Sequence, residues 1–265
     1  MHPEFVAAAV EAARRAGSLL MSLLPETMGS KQVTFKRNTA DLVTRADRMA
    51  EDLIVGLLRE TFPDHGVLAE EGTKHPGMAY RWIIDPLDGT TNFAHGLPLF
   101  AVSIALEHRG EVVAGVVHHP PMDEMFIAQG GGGAFLRHGT EEERLQVSDI
   151  SSVADAVVAT GLPYDIRETG RNVSQIAALS RTAIEVRILG AAALHLAYVA
   201  AGRLEAFWEP GLNPWDIAAG ALLVEEAGGK ITDMRGGKFH VDCRDVLASN
   251  GRVHEKMLAL LRGSP

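Results

Sequence analysis

The sequence predicts a mixed α/β protein, and three observations carry that reading. Apolar residues recur at helical spacing in two N-terminal stretches; strands joined by tight turns follow; from about residue 150 short strands alternate with helical segments. The first pattern packs as helices, the second as an antiparallel sheet and the third as an α/β layer. A division follows into an N-terminal α+β lobe, 1–150, and a C-terminal α/β lobe, 151–265, with no linker long enough to separate them.

Taken in order, Phe5, Ala8, Ala9, Ala12, Ala16, Leu19, Leu20 and Leu23 mark a helix that Pro25 is expected to end before a Gly29-Ser30 loop. Lys31 to Phe35 suits a short strand or hairpin, with Arg37-Asn38-Thr39 after it. A second amphipathic helix runs from about Thr44 to Thr61, with Asp47 in its first turn, where a carboxylate offsets the helix dipole. Val67-Leu68-Ala69 reads as a strand ending in Glu70-Glu71-Gly72. Trp82-Ile83-Ile84 reads as a buried strand that stops at Asp85-Pro86, because proline cannot donate to a ladder.

Phe100 to Glu107 and Val112 to Val117 form a hairpin around Arg109-Gly110, and Glu124 to Ala128 and Ala134 to Leu136 extend the sheet. Gly130 to Gly133 lacks the Gly-Lys-Ser/Thr ending of a phosphate loop and reads as a turn. Gly139 to Glu143 reads as a charged, solvent-facing loop. Later strands are Ala156 to Thr160, Ile184 to Leu189, Glu205 to Trp208, Gly229 to Thr232 and Val246 to Ser249; helices fall near 170–180, 190–201, 214–227 and 251–262.

Composition narrows the function. A net charge of −9 argues against a general nucleic-acid binder, which needs a basic surface. Cys243, the only cysteine, excludes an intramolecular disulfide and cysteine-based metal sites. Glu4, Glu11, Arg14 and Arg15 interrupt the apolar N-terminus, so it reads as neither signal peptide nor membrane span, and a cytoplasmic protein is expected. Among His95, His118, His119 and His195 no pair has the helical spacing and nearby glutamate of a zinc hydrolase; His118 and His119 read as surface or structural.

The chemistry concentrates in Trp82 to Asn92, WIIDPLDGTTN. Asp85 and Asp88 are hard oxygen ligands of the kind Mg²⁺ prefers, and the N–H groups of Gly89-Thr90-Thr91-Asn92 at a helix start suit phosphate. The same residues also make an ordinary turn. If consecutive strand ends lie side by side, Glu70 comes within reach of both aspartates, with one of Glu70 and Glu71 pointing in and the other out. Gly190-Ala191-Ala192 opens a helix whose first N–H groups are free for an anion, or whose small side chains serve close packing. Glu209 and Asp216 flank a loop bounded by proline and glycine.

The acids at Glu70-Glu71, the block DPLDGTTN and the later NPWDIAAGALLVEEAGG resemble the inositol monophosphatase family of Mg²⁺-dependent, lithium-sensitive phosphatases. DLVTRAD, GLPLFAVSIAL and AALHLAYVAAGRLEAFWE are also similar to bacterial members, so the resemblance runs nearly end to end. It implies a layered α/β/α/β/α sandwich, commonly a homodimer, acting on a small phosphomonoester. Glu70, Asp85 and the Leu87 carbonyl are implied to hold one Mg²⁺, Asp85, Asp88 and Asp216 a second, and a third looser ion lies near Glu70. Thr90, partnered by Asp47, is implied to orient the attacking water with Glu70. Gly89 and Thr90 face phosphate; Gly190, Ala191, Ala192 and Glu209 face the alcohol, beside Asp88 and Asp216.

Where family members usually carry serine or threonine, this chain has Ala191 and lacks that hydroxyl. Inositol 1-phosphate and related polyol phosphates are the expected substrates. Related enzymes take fructose 1,6-bisphosphate, histidinol phosphate or 3′-phosphoadenosine 5′-phosphate, and some bacterial relatives associate with the transcription machinery.

Overall fold

The computed structural model describes residues 3–30, 33–35, 42–77 and 79–263, the side chains of 25–30, 33–35 and 42–44 excepted. Its first helix, α1 (Pro3–Ser30), is followed by a hairpin of β1 (Val33–Phe35) and β2 (Leu42–Thr44), then by α2 (Arg45–Thr61). Arg37-Asn38-Thr39 lies outside the described residues. α1 does not stop at Pro25 as expected: proline costs a helix one hydrogen bond and bends it, and the helix here continues beyond.

An eight-stranded sheet comprises β3 (Gly66–Ala69), β4 (Lys74–His75), β5 (Tyr80–Asp88), β6 (Ala101–His108), β7 (Glu111–His119), β8 (Glu124–Gln129), β9 (Gly133–His138) and β10 (Glu141–Arg144), with α3 (Thr90–Ala94) after β5. Its order is β10-β9-β8-β7-β6-β5-β3-β4, and β3 and β5 are the parallel pair among antiparallel neighbours. The segment expected as a charged loop is largely β10. It pairs with β9, and Glu142 opposite Arg137 forms a 2.7 Å ion pair. A strand exposed on both faces has no hydrophobic period, so charge hid it.

Beyond it come β11 (Val157–Thr160), α4 (Ile166–Thr169), α5 (Val173–Leu179), β12 (Glu185–Arg187), α6 (Ala192–Ala200), β13 (Ala206–Pro210), α7 (Pro214–Glu226), β14 (Lys230–Asp233), β15 (Asp245–Ser249) and α8 (His254–Arg262). α4 is an addition to the expected elements; at four residues it is too short to show a helical period. These strands form a mixed sheet, β12-β11-β13-β15-β14.

Three apolar layers between the elements explain the stacking. Trp82 and Ile84 of β5 face Ala12, Leu20, Ile54 and Leu58 of α1 and α2, whereas Ile83, pointing the other way, joins Leu194 of α6, Ile217 and Leu223 of α7, and Phe207 and Val246 of the second sheet. The run Trp-Ile-Ile is apolar throughout because both faces of the sheet are covered. α5 and α8 close the far side through Leu179, Met257 and Leu261 against Trp208 and Leu247. The order is helices, sheet, helices, sheet, helices, the expected sandwich. α7 is buried from Ile217 to Val224, and a Cβ on Gly115 of β7 would lie 2.9 Å from the Ala219 carbonyl, so glycine lets this helix lie close on the sheet.

Candidate active site

β5 carries the first acids, and it does not end at Asp85-Pro86. Asp85 pairs with Ser103 and Asp88 with Ala101, so one extra residue is accommodated between them as a β-bulge. A bulge leaves a residue unpaired, which is where a strand tolerates proline. Within it the Leu87 N–H donates to Asp85 Oδ1 at 3.0 Å. After Gly89, whose φ of 91° suits glycine, the Thr90 hydroxyl has two acceptors for its one proton: the Leu87 carbonyl at 3.1 Å and Asp47 Oδ1 at 3.3 Å. Asp47, 2% exposed in the first turn of α2, thus reaches the site through Thr90.

Parallel pairing of β3 with β5 sets Ala69 beside Ile84, and the Glu70 N–H donates to the Ile84 carbonyl at 3.2 Å. Glu70 faces the same cavity as Asp85. The other acid does not point out as expected of one of the pair: the Glu71 side chain, 5% exposed, is turned against α2, with Arg48 3.8 Å away. A short turn packed beneath a helix leaves little solvent for Glu71.

The second half supplies two helix starts. Asp88 accepts the N–H groups of Ala192 at 3.1 Å and Ala193 at 2.7 Å, so the donors expected to be open to an anion are occupied by the chain's own carboxylate. Asn92 donates to the carbonyls of Leu99 and Leu189, each at 2.7 Å, and fixes the turn before α6. His195 Nε2 accepts the Leu189 N–H at 3.1 Å, and its ring stacks on Phe207. At α7, Asn213 and Asp216 form a capping box in which the Asn213 N–H donates to Asp216 Oδ2 at 2.7 Å. Ser103, opposite Asp85, donates to the Trp215 carbonyl at 3.2 Å and draws that helix start to the bulge.

Glu70, Asp85, Leu87, Asp88, Gly89, Thr90, Gly190, Ala191, Ala192, Glu209 and Asp216 therefore line one cavity of ≈ 420 Å³. Asp47 stands behind Thr90. Local pattern did not single out the segment from Gly161 to Arg167, which forms a further part of the wall, and it offered Asn92 for its N–H rather than for the side chain that fixes the turn before α6. Asn213 was legible as a capping residue three positions before an acid. Gly161 earns its place because a Cβ there would collide with the Glu209 carboxylate. None of the four histidines is in the lining; His118 and His119 are buried, bonding the carbonyls of Ala13 and Pro98, so they are structural and not on the surface.

Burial pushes the Asp85 carboxyl well up from its usual range, and the charges of Glu70, Asp88 and Asp216 add to that; the Leu87 N–H opposes it. Asp88 is pushed up to about 7 by burial, against the Ala193 and Ala192 N–H groups. Asp216 is likewise pushed up to about 7, by depth beneath the surface and the Asp88 charge, although the Asn213 N–H opposes it. Glu209 rises well above its range through burial and the charges of Asp216 and Asp88.

Crowded acids held away from water call for protons or a cation. A hard divalent ion such as Mg²⁺ fits this all-oxygen donor set. Among the described residues no three such side chains are already gathered as a finished metal cage. The acids are neighbours around a space, consistent with an ion that keeps several waters.

A profile of the inositol monophosphatase family matches residues 2–265. An inositol-1-monophosphatase of Mesorhizobium japonicum is 44% identical over 256 residues, covering 96% of this chain and 94% of that protein. Nus factor SuhB of Salmonella typhimurium is 40% identical over 267 residues, covering 99% and 97%. The structure of inositol monophosphatase from Anabaena (Nostoc) sp. PCC 7120 superposes with a TM-score of 0.88 at 38% identity, covering 99% of this chain and 97% of that one. With the site geometry and an end-to-end match in agreement, this chain belongs to the inositol monophosphatase family.

Proposed function

We propose that this phosphatase hydrolyses inositol 1-phosphate and related polyol phosphates with Mg²⁺, two or three ions per site. The observation that carries the reading is the convergence of Glu70, Asp85, Asp88 and Asp216 on one cavity, where each raises the cost of the others' charge. Glu70, Asp85 and the Leu87 carbonyl would hold one ion, and Asp85, Asp88 and Asp216 another. Bound Mg²⁺ supplies acidification of water and charge to offset the phosphoryl and leaving oxygens.

The chain's own groups do the rest. Thr90 can donate to Asp47, which leaves the lone pairs of the threonine oxygen free to accept a hydrogen bond from water on the cavity side. Glu70 orients the same water. N–H groups of Gly89 and Thr90 face phosphate oxygens, while Glu209 beside Gly190, Ala191 and Ala192 accepts hydrogen bonds from substrate hydroxyls. A cytoplasmic homodimer is part of the same reading.

Phosphate release from inositol 1-phosphate, fructose 1,6-bisphosphate, histidinol phosphate and 3′-phosphoadenosine 5′-phosphate, with and without Mg²⁺ and Li⁺, tests it. Mg²⁺-dependent, Li⁺-inhibited release led by inositol 1-phosphate is expected; no release from any compound overturns it. The name of the Salmonella relative supports a second reading, a partner of the transcription machinery. Co-purified transcription proteins, together with an inactive Asp85→Asn chain that still serves the cell, would favour that one.

A further inference from the structure

Asp47 and Glu51 stand one turn apart on α2, at i and i+4, so both carboxylates leave the same face of the helix. Asp47 reaches Thr90, after β5. Glu51, 3% exposed, reaches the turn after β3 and divides its two oxygens there: Oε2 accepts the Glu71 N–H at 2.7 Å and Oε1 the Thr73 N–H at 3.1 Å. Neither donor falls within a strand, since β3 ends at Ala69 and β4 begins at Lys74. The turn is closed by the Ala69 N–H on the Thr73 carbonyl at 3.0 Å, and Glu70 is tied to Ile84 from its other side.

We infer that Glu51 is a positioning residue for Glu70. Its carboxylate fixes the two backbone donors that follow Glu70, and so sets the direction in which the Glu70 side chain enters the cavity. A buried charge is costly, and an apolar residue would cover the same turn at less cost, but it would leave both N–H groups without an acceptor. Glutamine would not replace it fully, because it offers one oxygen where two are in use. Through Asp47 and Glu51 a single rigid helix sets the separation of Thr90 and Glu70, the two groups assigned to the same water. The inference rests on the proposed role of Glu70 as a cation ligand.

The test compares Glu51→Ala, Glu51→Gln and Glu70→Gln with the unaltered chain. Amide exchange in the metal-free proteins reads the anchor itself. At Glu71 and Thr73 it should quicken at least about 10-fold in Glu51→Ala and at one of the two in Glu51→Gln, while β5 and β6 amides keep their protection. Half-activating Mg²⁺ should rise about 10–100-fold in Glu51→Ala and less in Glu51→Gln, as for other lost supports of metal ligands. Turnover at saturating Mg²⁺ should fall by a smaller factor than the Mg²⁺ requirement rises, a split that general loosening of the fold would not produce.

Unchanged exchange at both amides overturns the inference, as does quickened exchange with an unshifted Mg²⁺ requirement. If Glu51→Ala does not fold, Glu51→Gln decides on the same readouts. An unshifted requirement in Glu70→Gln would instead remove the cation-ligand role of Glu70, and the exchange data would still report on the anchor.

Discussion

α6 and α7 both begin at the cavity, and at each start backbone N–H groups donate to a carboxylate pushed up to about 7: Ala192 and Ala193 to Asp88, and the cap residue Asn213 to Asp216. They differ in where that carboxylate comes from. α7 is capped from within by Asn213 and Asp216, three residues apart. The cap position of α6 is Ala191, which has no side chain to offer, and the donors are satisfied by Asp88, 104 residues away from Ala192. A local cap stabilises one helix; a borrowed cap also ties the bulge of the first sheet to a helix of the middle layer.

The largest effect should come from removing either acid. Asp88→Asn and Asp216→Asn should each lower turnover about 100-fold or more, since each removes a charge from the reacting centre. They should part in amide exchange: Asp88→Asn has one oxygen for two donors and frees Ala192 or Ala193, whereas Asp216→Asn keeps an oxygen for the one N–H of Asn213 and leaves it protected. Identical exchange patterns in the two variants would erase the distinction drawn here.

Acid should separate the helices next. His195 belongs to α6 and accepts the Leu189 N–H through an unprotonated Nε2; burial lowers it to about 3. Its folded value lies below the unfolded one, so the unfolded chain binds more protons and stability falls as pH drops below about 6.5. The slope for such a buried group is about 1.4 kcal/mol per pH unit. Denaturant melts at pH 7 and pH 5 should show about 2 kcal/mol more acid loss in the unaltered chain than in His195→Gln. The raised acids contribute equally to both and cancel. Equal slopes would sink the role given to this imidazole.

A smaller change sharpens the same contrast. Asn213→Ala should cost about 1 kcal/mol, the ordinary value of a cap. Ala191→Ser, which supplies α6 with a cap residue, should gain less than about 0.5 kcal/mol because Asp88 already holds the donors, and more in an Asp88→Asn background. Melting of these four variants and the unaltered chain measures both; a full gain in the unaltered background would mean that Asp88 does not act as the cap.

The same two helices show what the sequence could disclose. Periodicity located α1, α2 and α7, and alternation located the hairpins, because each depends on neighbours in the chain. Asn213-x-x-Asp216 is a local pattern and was readable as such. The hold of Asp88 on Ala192, of Asn92 on Leu189 and of Glu51 on Glu71 are contacts across 104, 97 and 20 residues, with no trace in local pattern. Prolines misled twice, at Pro25 and Pro86, since a missing N–H bars regular pairing but not a bend or a bulge. β10 was hidden by its charges.

The bulge at Pro86 also settles a matter of odd and even. Along a regular strand, residues an odd number apart point to opposite faces, so Asp85 and Asp88 would face opposite layers of the sandwich. One surplus residue restores their parity and turns both toward the same space. No exchange of one side chain for another can do this, because face is decided by counting. A chain that kept three steps between the two aspartates but paired regularly, without the bulge, would be no less a sheet, yet it would hold one acid in the site and lose the other to the opposite layer.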